Sequence, residues 1–104
     1  MKLPLIKLAF ILMALLGLHL SAHATPDIAN GKKIDQEKCY ACHAKKSGFG
    51  NGDMIYTRSD SKVKNLQNLK SMVAMCNTEL RLDLFPEDEA DVAAFLNKQF
   101  YKFK

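Results

Sequence analysis

The 104-residue chain lacks the residue patterns that define several common protein classes. It has three cysteines, an odd number that cannot form a fully paired disulfide framework. No segment alternates apolar and polar residues as a half-buried strand does, and no internal repeat is present. No catalytic triad, phosphate-binding glycine loop or pair of carboxylates placed for acid–base chemistry can be recognised. The sequence therefore indicates an all-α protein that is not an enzyme.

The chain also lacks a strong excess of charge of one sign. Lys and Arg number 15 and Asp and Glu 11, which gives a net charge of +4. Loss of the first 24 residues would remove Lys2 and Lys7, leaving 13 basic and 11 acidic residues and a net charge of +2. The basic residues form no stripe interleaved with aromatics. Nucleic acid is therefore not an expected partner.

The N-terminal 24 residues have the three parts of a secretory signal peptide. A basic start with Lys2 and Lys7 precedes an apolar stretch over residues 8–20, and Ala22-His23-Ala24 supplies small residues for cleavage. The apolar stretch is short against the ~20 residues that a membrane span needs. We expect cleavage after Ala24, an exported domain over residues 25–104 in the bacterial periplasm, and no stable membrane span after cleavage.

The 80 residues that remain form a small domain, and domains of this size often need a disulfide, a metal or a cofactor for stability. The run Cys39-Tyr40-Ala41-Cys42-His43 matches C-x-x-C-H, the attachment signature of c-type haem. Two thiols at this spacing can form thioethers with the two vinyl groups of one porphyrin. The adjacent imidazole of His43 can then bind the iron as its proximal ligand. The sequence predicts one haem c, attached through Cys39 and Cys42.

Three other interpretations of this motif stay open. A thioredoxin-like redox pair would need a βαβ setting, which the sequence does not indicate. A zinc site would have Cys76 as its third cysteine and no second histidine after cleavage, so it would need a carboxylate. A structural disulfide between Cys39 and Cys42 would leave His43 unexplained.

Hydrophobic spacing predicts three helices. The first begins near Pro26 and Asp27, the second covers residues 61–79, and the third covers residues 86–101. In the third helix, Val92, Phe95, Leu96 and Gln99 mark one face. The Gly-rich, polar residues 44–53 are expected to form a loop.

Residues 25–104 resemble class I c-type cytochromes in the order of their helices. Gly31, eight residues before Cys39, matches a family glycine at which the C-terminal helix crosses closely, and Val92–Leu96 resembles that last helix. Many relatives carry an aromatic residue where this chain has Asp35. The resemblance implies a small cytochrome c-like helical fold around one covalently attached haem. Tyr56-Thr57-Arg58, Cys76-Asn77 and residues 97–103 further resemble a subgroup of small exported monohaem cytochromes.

The sequence does not identify the sixth iron ligand uniquely. The family usually uses Met, and Met54 is the first choice because a loop can bring its sulfur over the iron. Met75 and Met72, both in the predicted middle helix, are alternatives. The remaining possibilities are Asn51, a lysine or no protein ligand.

The resemblance implies an outer-sphere electron carrier in which the iron cycles between Fe(III) and Fe(II) without a small-molecule substrate. Redox proteins would be its partners and would meet a haem edge ringed by Lys45 and Lys46. Tyr56 and Arg58 are candidates to bind the haem propionates, and the alternative for Arg58 is an ordinary surface position. Two alternatives remain: a haem-based sensor that binds O2, NO or peroxide at an open sixth position, and an electron-entry subunit of a larger oxidoreductase. Cys76 is expected to be a small buried residue, with an intermolecular disulfide or a thiol near the haem edge as alternatives.

Overall fold

A computed structural model describes residues 25–48 and 50–104, and the regular secondary structure in that part of the chain is all helical, with no strand. The predicted signal peptide, residues 1–24, lies outside the described residues. None of the helices in the described ranges combines the length and the apolar character that crossing a membrane requires. The elements are α1 (Ile28–Ile34), a π-helical turn (Asp35–Cys39), α2 (Tyr40–Ser47), a 3₁₀ turn (Gly52–Ile55), α3 (Leu66–Leu80), α4 (Pro86–Leu96) and a second π-helical turn (Asn97–Tyr101).

Helix α1 starts where the sequence predicted, and polar contacts tie its first turn to α4. The Asp27 side chain caps the helix by accepting a hydrogen bond from the Asn30 backbone N–H at 3.1 Å. The Asp27 backbone N–H donates to Asp91 Oδ1 at 2.7 Å. The Asn30 side-chain amide donates to Asp88 at 3.0 Å and to Asp91 at 2.9 Å. These bonds fix the register between the two helices.

Gly31 is the point at which α1 and α4 cross. A Cβ built on Gly31 would lie 2.1 Å from the Asp91 carbonyl oxygen and 2.9 Å from Phe95 Cβ. No side chain fits at such distances, so glycine is required for the approach of the two backbones. The close crossing expected at Gly31 is confirmed, although Asp35 stands in place of the usual aromatic.

The core is enclosed by α1, α3 and α4, and its buried members are almost all apolar. They are Ile34, Tyr56, Val63, Leu69, Val92, Ala93, Phe95 and Leu96. The predicted face of α4 is confirmed for Val92, Phe95 and Leu96, but Gln99 is exposed. The wider π-helical turn after Leu96 changes the angular spacing of the residues, so Phe100 and Tyr101 take the inward positions instead.

The middle helix begins later than the sequence predicted. Its N-cap is Asn65, whose side chain accepts from the Asn68 backbone N–H at 2.8 Å, and residues 61–64 lead into it without helical structure. At the other end, Arg81 adopts a left-handed conformation with φ of 52° and stops the helix. The helix is therefore Leu66–Leu80 rather than residues 61–79.

The predicted loop over residues 44–53 is shorter in the structure. Helix α2 runs on to Ser47 and ends at Gly48, which has a φ of 77°. Lys45 and Lys46 in its last turn complement the helix dipole there. The 3₁₀ turn begins at Gly52, and Asn51 caps it by accepting from the Asp53 backbone N–H. The prediction was wrong at both ends because local capping extends helical structure into this polar segment.

Candidate functional site

A cavity of about 400 Å³ lies beside the C-x-x-C-H segment. This volume is within the range of small-molecule and cofactor sites. Cys39, Cys42 and His43 line one part of it, and residues from α3, the α3–α4 connection and α4 line the rest. The apolar lining residues are Ile55, Val63, Leu69, Met72, Val73, Leu80, Leu82, Leu84, Val92 and Leu96. The predicted attachment residues thus share one mostly apolar cavity.

The two motif cysteines are placed by a change of helix type. Cys39 ends the π-helical turn, and Cys42 and His43 lie in the first turn of α2. Cys39 is half-buried, Cys42 is exposed, and both thiols are free, as is that of Cys76. Burial, together with the negative charge of Asp35, raises the pKa of Cys39 to about 11. A redox-active C-x-x-C pair needs a lowered thiol pKa, so this environment is unfavourable for that chemistry.

The environment of His43 favours a neutral imidazole. Burial lowers the pKa of His43, and the positive charge of Lys46 lowers it further. The ring packs edge-on against Tyr56, with ring centroids 5.1 Å apart. Its buried Nδ1 has no hydrogen-bond partner within the part of the chain described. A neutral imidazole is the form that binds metals.

Asp35 and Tyr56 form a buried polar pair next to His43. The Tyr56 hydroxyl donates to Asp35 Oδ1 at 2.5 Å, and the two residues are only 2% and 8% exposed. Burial raises the pKa of Asp35, whereas the Tyr56 hydrogen bond lowers it. Burial and the Asp35 carboxylate raise the pKa of Tyr56. The sequence alone indicates no role for Asp35; it shows only that many class I c-type cytochromes have an aromatic residue where this chain has an aspartate.

The three candidate methionine ligands lie in different environments. Met72, on α3, lines the cavity together with His43. Met54 is in the 3₁₀ turn and 39% exposed, and Met75 is 45% exposed on α3. Neither of these two contributes to the cavity lining, nor does Asn51.

Charged residues surround the mouth of the cavity. Lys38, Lys46 and Lys62 line it, whereas Lys45 does not. Arg58 also lines it and holds Asp60 through two hydrogen bonds, from Nε at 2.9 Å and from Nη2 at 2.7 Å. Cys76 lines the cavity from α3, and its burial is intermediate.

Two asparagines fix the backbone of chain segments near the site by hydrogen bonds. The sequence alone indicates no role for either of them. The Asn77 side chain donates to the Leu84 carbonyl and accepts from the Leu84 N–H, both at 3.0 Å, which fixes Leu84 in the cavity wall. Asn97 does the same with Phe103, at 3.1 and 2.8 Å. Both asparagines fall in the segments resembling the narrower cytochrome subgroup, which was the one available signal.

Comparison with known proteins adds no relative: no family model, curated protein or solved structure matches the chain. Among residues 25–48 and 50–104, no group of three or more His, Cys, Asp and Glu side chains is arranged to hold a metal ion. The zinc interpretation therefore has no ligand cluster in those ranges. The function of the site must therefore be inferred from this chain's own residues.

Proposed function

We propose that this chain is an exported monohaem c-type cytochrome that carries electrons in the bacterial periplasm. The observation that carries the proposal is the position of the C-x-x-C-H residues. Cys39, Cys42 and His43 line one cavity with apolar walls, and Met72 lines it from α3. The all-helical fold and the close α1–α4 crossing at Gly31 are compatible with the resemblance to class I cytochromes.

The residues present fit a covalently attached haem. Both motif thiols are free to form thioethers, and His43 favours the neutral state that can bind iron. The His43 ring lines the cavity, and its buried Nδ1 has no hydrogen-bond partner in the described part of the chain, so no protein acceptor recorded there holds the ring away from a ligand role. Bound in this cavity, haem would supply a one-electron Fe(III)/Fe(II) couple.

We assign the distal ligand to Met72 in preference to Met54. A ligand must share the cavity with His43, and Met72 is the methionine that does so within the described residues. Its thioether is a ligand that stabilises Fe(II) and raises the reduction potential. In this assignment Met54 and Met75 are surface residues.

The protein's own groups suit outer-sphere electron transfer. Leucine and valine side chains line much of the cavity, and the two cysteines would retain the cofactor. Lys38, Lys46 and Lys62 give the mouth a positive rim, which attracts a partner with an acidic docking surface. Redox proteins of that kind are the proposed partners.

The first experiment tests whether haem is covalently attached to the chain. The full chain is expressed in a bacterium competent in cytochrome maturation, and the exported protein is weighed by mass spectrometry. We expect the mass of residues 25–104 plus one haem, and bare peptide from the double variant C39A/C42A. A wild-type product with no added haem would overturn the proposal.

The second experiment separates an electron carrier from a sensor. A low-spin spectrum that does not change when carbon monoxide is added to the reduced protein supports a carrier with both axial positions filled. A high-spin spectrum with rapid carbon monoxide binding would favour the sensor. Co-purification of the tagged, haem-loaded protein with a larger oxidoreductase would identify an electron-entry subunit.

The partner surface is tested by charge reversal. In K38E and K46E, electron transfer to an acidic redox protein should slow at low salt, and the rate should depend less on ionic strength. K33E, at an exposed position of α1 outside the cavity lining, is the matched control and should change little. Equal rates in all four proteins would contradict the proposed rim.

A further inference from the structure

A second cavity lies on the other side of the Asp35–Tyr56 pair. It has a volume of about 520 Å³, and its lining includes Asp35, Asp53, Lys32 and Lys98. Tyr56 lines the first cavity, where the haem is proposed, and Asp35 lines the second. The hydrogen bond from Tyr56 to Asp35 therefore links the two cavities through one buried polar contact.

The same contact connects Asp35 to the proposed iron ligand. The Tyr56 ring packs edge-on against His43, and its hydroxyl donates to Asp35. If His43 holds the iron, a buried carboxylate linked to the His43 ring through Tyr56 would interact with the iron's charge more strongly than it would in water. A change of one unit in that charge must then change the affinity of Asp35 for a proton.

Several groups around Asp35 set the state of its carboxyl. Burial raises the Asp35 pKa, Tyr56 lowers it by hydrogen bonding, and Asp53, from the 3₁₀ turn, raises it by charge repulsion. Lys32 from α1 and Lys98 from the second π-helical turn are the basic residues that line the second cavity with Asp35. Cys39, on the same π-helical turn as Asp35, would be an uncharged thioether once haem is attached.

We propose that Asp35 is a redox-linked proton acceptor: it takes up a proton through the second cavity when the iron is reduced and releases the proton when the iron is oxidised. This inference rests on the proposed function. It gives the Asp35–Tyr56 pair a role in coupling a proton to the electron.

One electron comes from a reduced redox protein, and one proton comes from solvent in the second cavity. The proton binds one Asp35 carboxylate oxygen, while the other continues to accept from Tyr56, whose hydroxyl keeps its own hydrogen. Reoxidation by an acceptor protein returns the electron, and the proton leaves by the same route.

The test is the midpoint potential of the haem-loaded protein as a function of pH. In the wild type we expect the potential to fall with pH over a window bounded by the Asp35 pKa values of the two redox states. The slope there should approach about 59 mV per pH unit, the value of a tenfold concentration ratio in a one-electron couple. In D35N the slope should vanish, and above the window its potential should exceed that of the wild type, because an anion that stabilises Fe(III) is gone.

Two further variants test the assignment. D53N is the matched control, since Asp53 lines the same cavity but the Tyr56 hydroxyl donates to Asp35 and not to the Asp53 side chain; it should keep the slope and move the window to lower pH. Y56F removes the hydrogen bond that lowers the Asp35 pKa, so its window should move to higher pH. A slope that persists unchanged in D35N would assign the titration to another group, such as a haem propionate, and overturn the proposal.

A measurement that does not use D35N covers the case in which that variant does not fold. The reduced-minus-oxidised infrared difference spectrum should contain a protonated-carboxyl C=O band in the reduced state, at a frequency that shifts in Y56F. Its absence would overturn the inference. Haem that is attached but has a pH-independent potential refutes only this inference, whereas absence of haem refutes the proposed function.

Discussion

Replacing Gly31 by alanine tests the helix crossing on which the site depends. The new Cβ would lie 2.1 Å from the Asp91 carbonyl oxygen and 2.6 Å from its carbonyl carbon, whereas real Cβ contacts stay above 3.0 Å. The two helices must therefore separate by about an ångström. The nearest obstacles are backbone atoms, so a side-chain rotation cannot remove the clash.

Two opposing effects determine how much unfolding free energy G31A loses. Overpacking costs typically about 1–3 kcal/mol, and a backbone obstacle favours the upper part of this range. Alanine's better helix propensity offsets up to about 1 kcal/mol of the loss. We expect G31A to lose about 2 kcal/mol of unfolding free energy. For a domain of this size, that loss lowers the melting temperature by roughly 8–16 °C.

The assay is thermal and urea unfolding of the exported protein, followed by far-UV circular dichroism. K33A, which introduces alanine at an exposed position of the same helix, should change the unfolding free energy by less than about 0.5 kcal/mol. If G31A unfolds at the wild-type temperature, α1 and α4 do not cross at Gly31 as described. Haem yield should fall in G31A and not in K33A, because α1 leads directly into the turn that carries Cys39.

Three further predictions address the site. In M72L the long-wavelength absorption band of a Met-ligated ferric haem should disappear, whereas M54L and M75L should keep it; loss of the band in M54L alone would return the assignment to Met54. N77A removes both bonds to Leu84 and should lower the unfolding free energy by about 1–3 kcal/mol, measured by urea unfolding with the exposed T78A as control. The free energy of unfolding should fall above pH 10, the ordinary tyrosine pKa. Burial raises the pKa of Tyr56 and Tyr101, so above pH 10 the native state still holds protons that the unfolded state has released. The melting temperature of Y56F should depend less steeply on pH in that range, and an equal dependence would contradict the buried position of the Tyr56 hydroxyl.

Sequence reasoning predicted the features that depend on local spacing. The all-helical class, the start of the first helix near Asp27 and the span of helical structure over residues 86–101 follow from periodicity and end signals over adjacent residues, whereas the π-helical form of Asn97–Tyr101 does not. The cavity position of Cys39, Cys42 and His43 could be anticipated in the same way, since the three residues are adjacent on one helical segment.

Contacts between distant segments could not be predicted in this way. The Tyr56–Asp35 bond joins residues 21 positions apart, and the presence of Met72 in the same cavity lining as His43 depends on how α3 packs against the other helices. Met54 was preferred because its segment was expected to be a loop, but the Asn51 cap makes that segment a 3₁₀ turn. The extent of α2 was missed for a similar reason, because polar residues that suggest a loop also form good helix ends.

The burial of Asp35 is difficult to explain by stability alone. Its pKa is raised in the folded state, so the native protein binds the Asp35 proton more tightly than the unfolded chain does. The contribution of Asp35 to the free energy of unfolding is greatest below pH 3.8, its ordinary pKa. It is lost as the pH rises through the folded-state pKa. As the pH rises above the ordinary value, Asp35 therefore lowers the free energy of unfolding relative to acid pH, and replacing both members of a buried polar pair by apolar groups of the same shape can be nearly neutral or stabilising. The double variant D35L/Y56F should accordingly be at least as stable as the wild type at pH 7 while its potential no longer depends on pH. A strongly destabilised double variant would instead give Asp35 and Tyr56 a structural role.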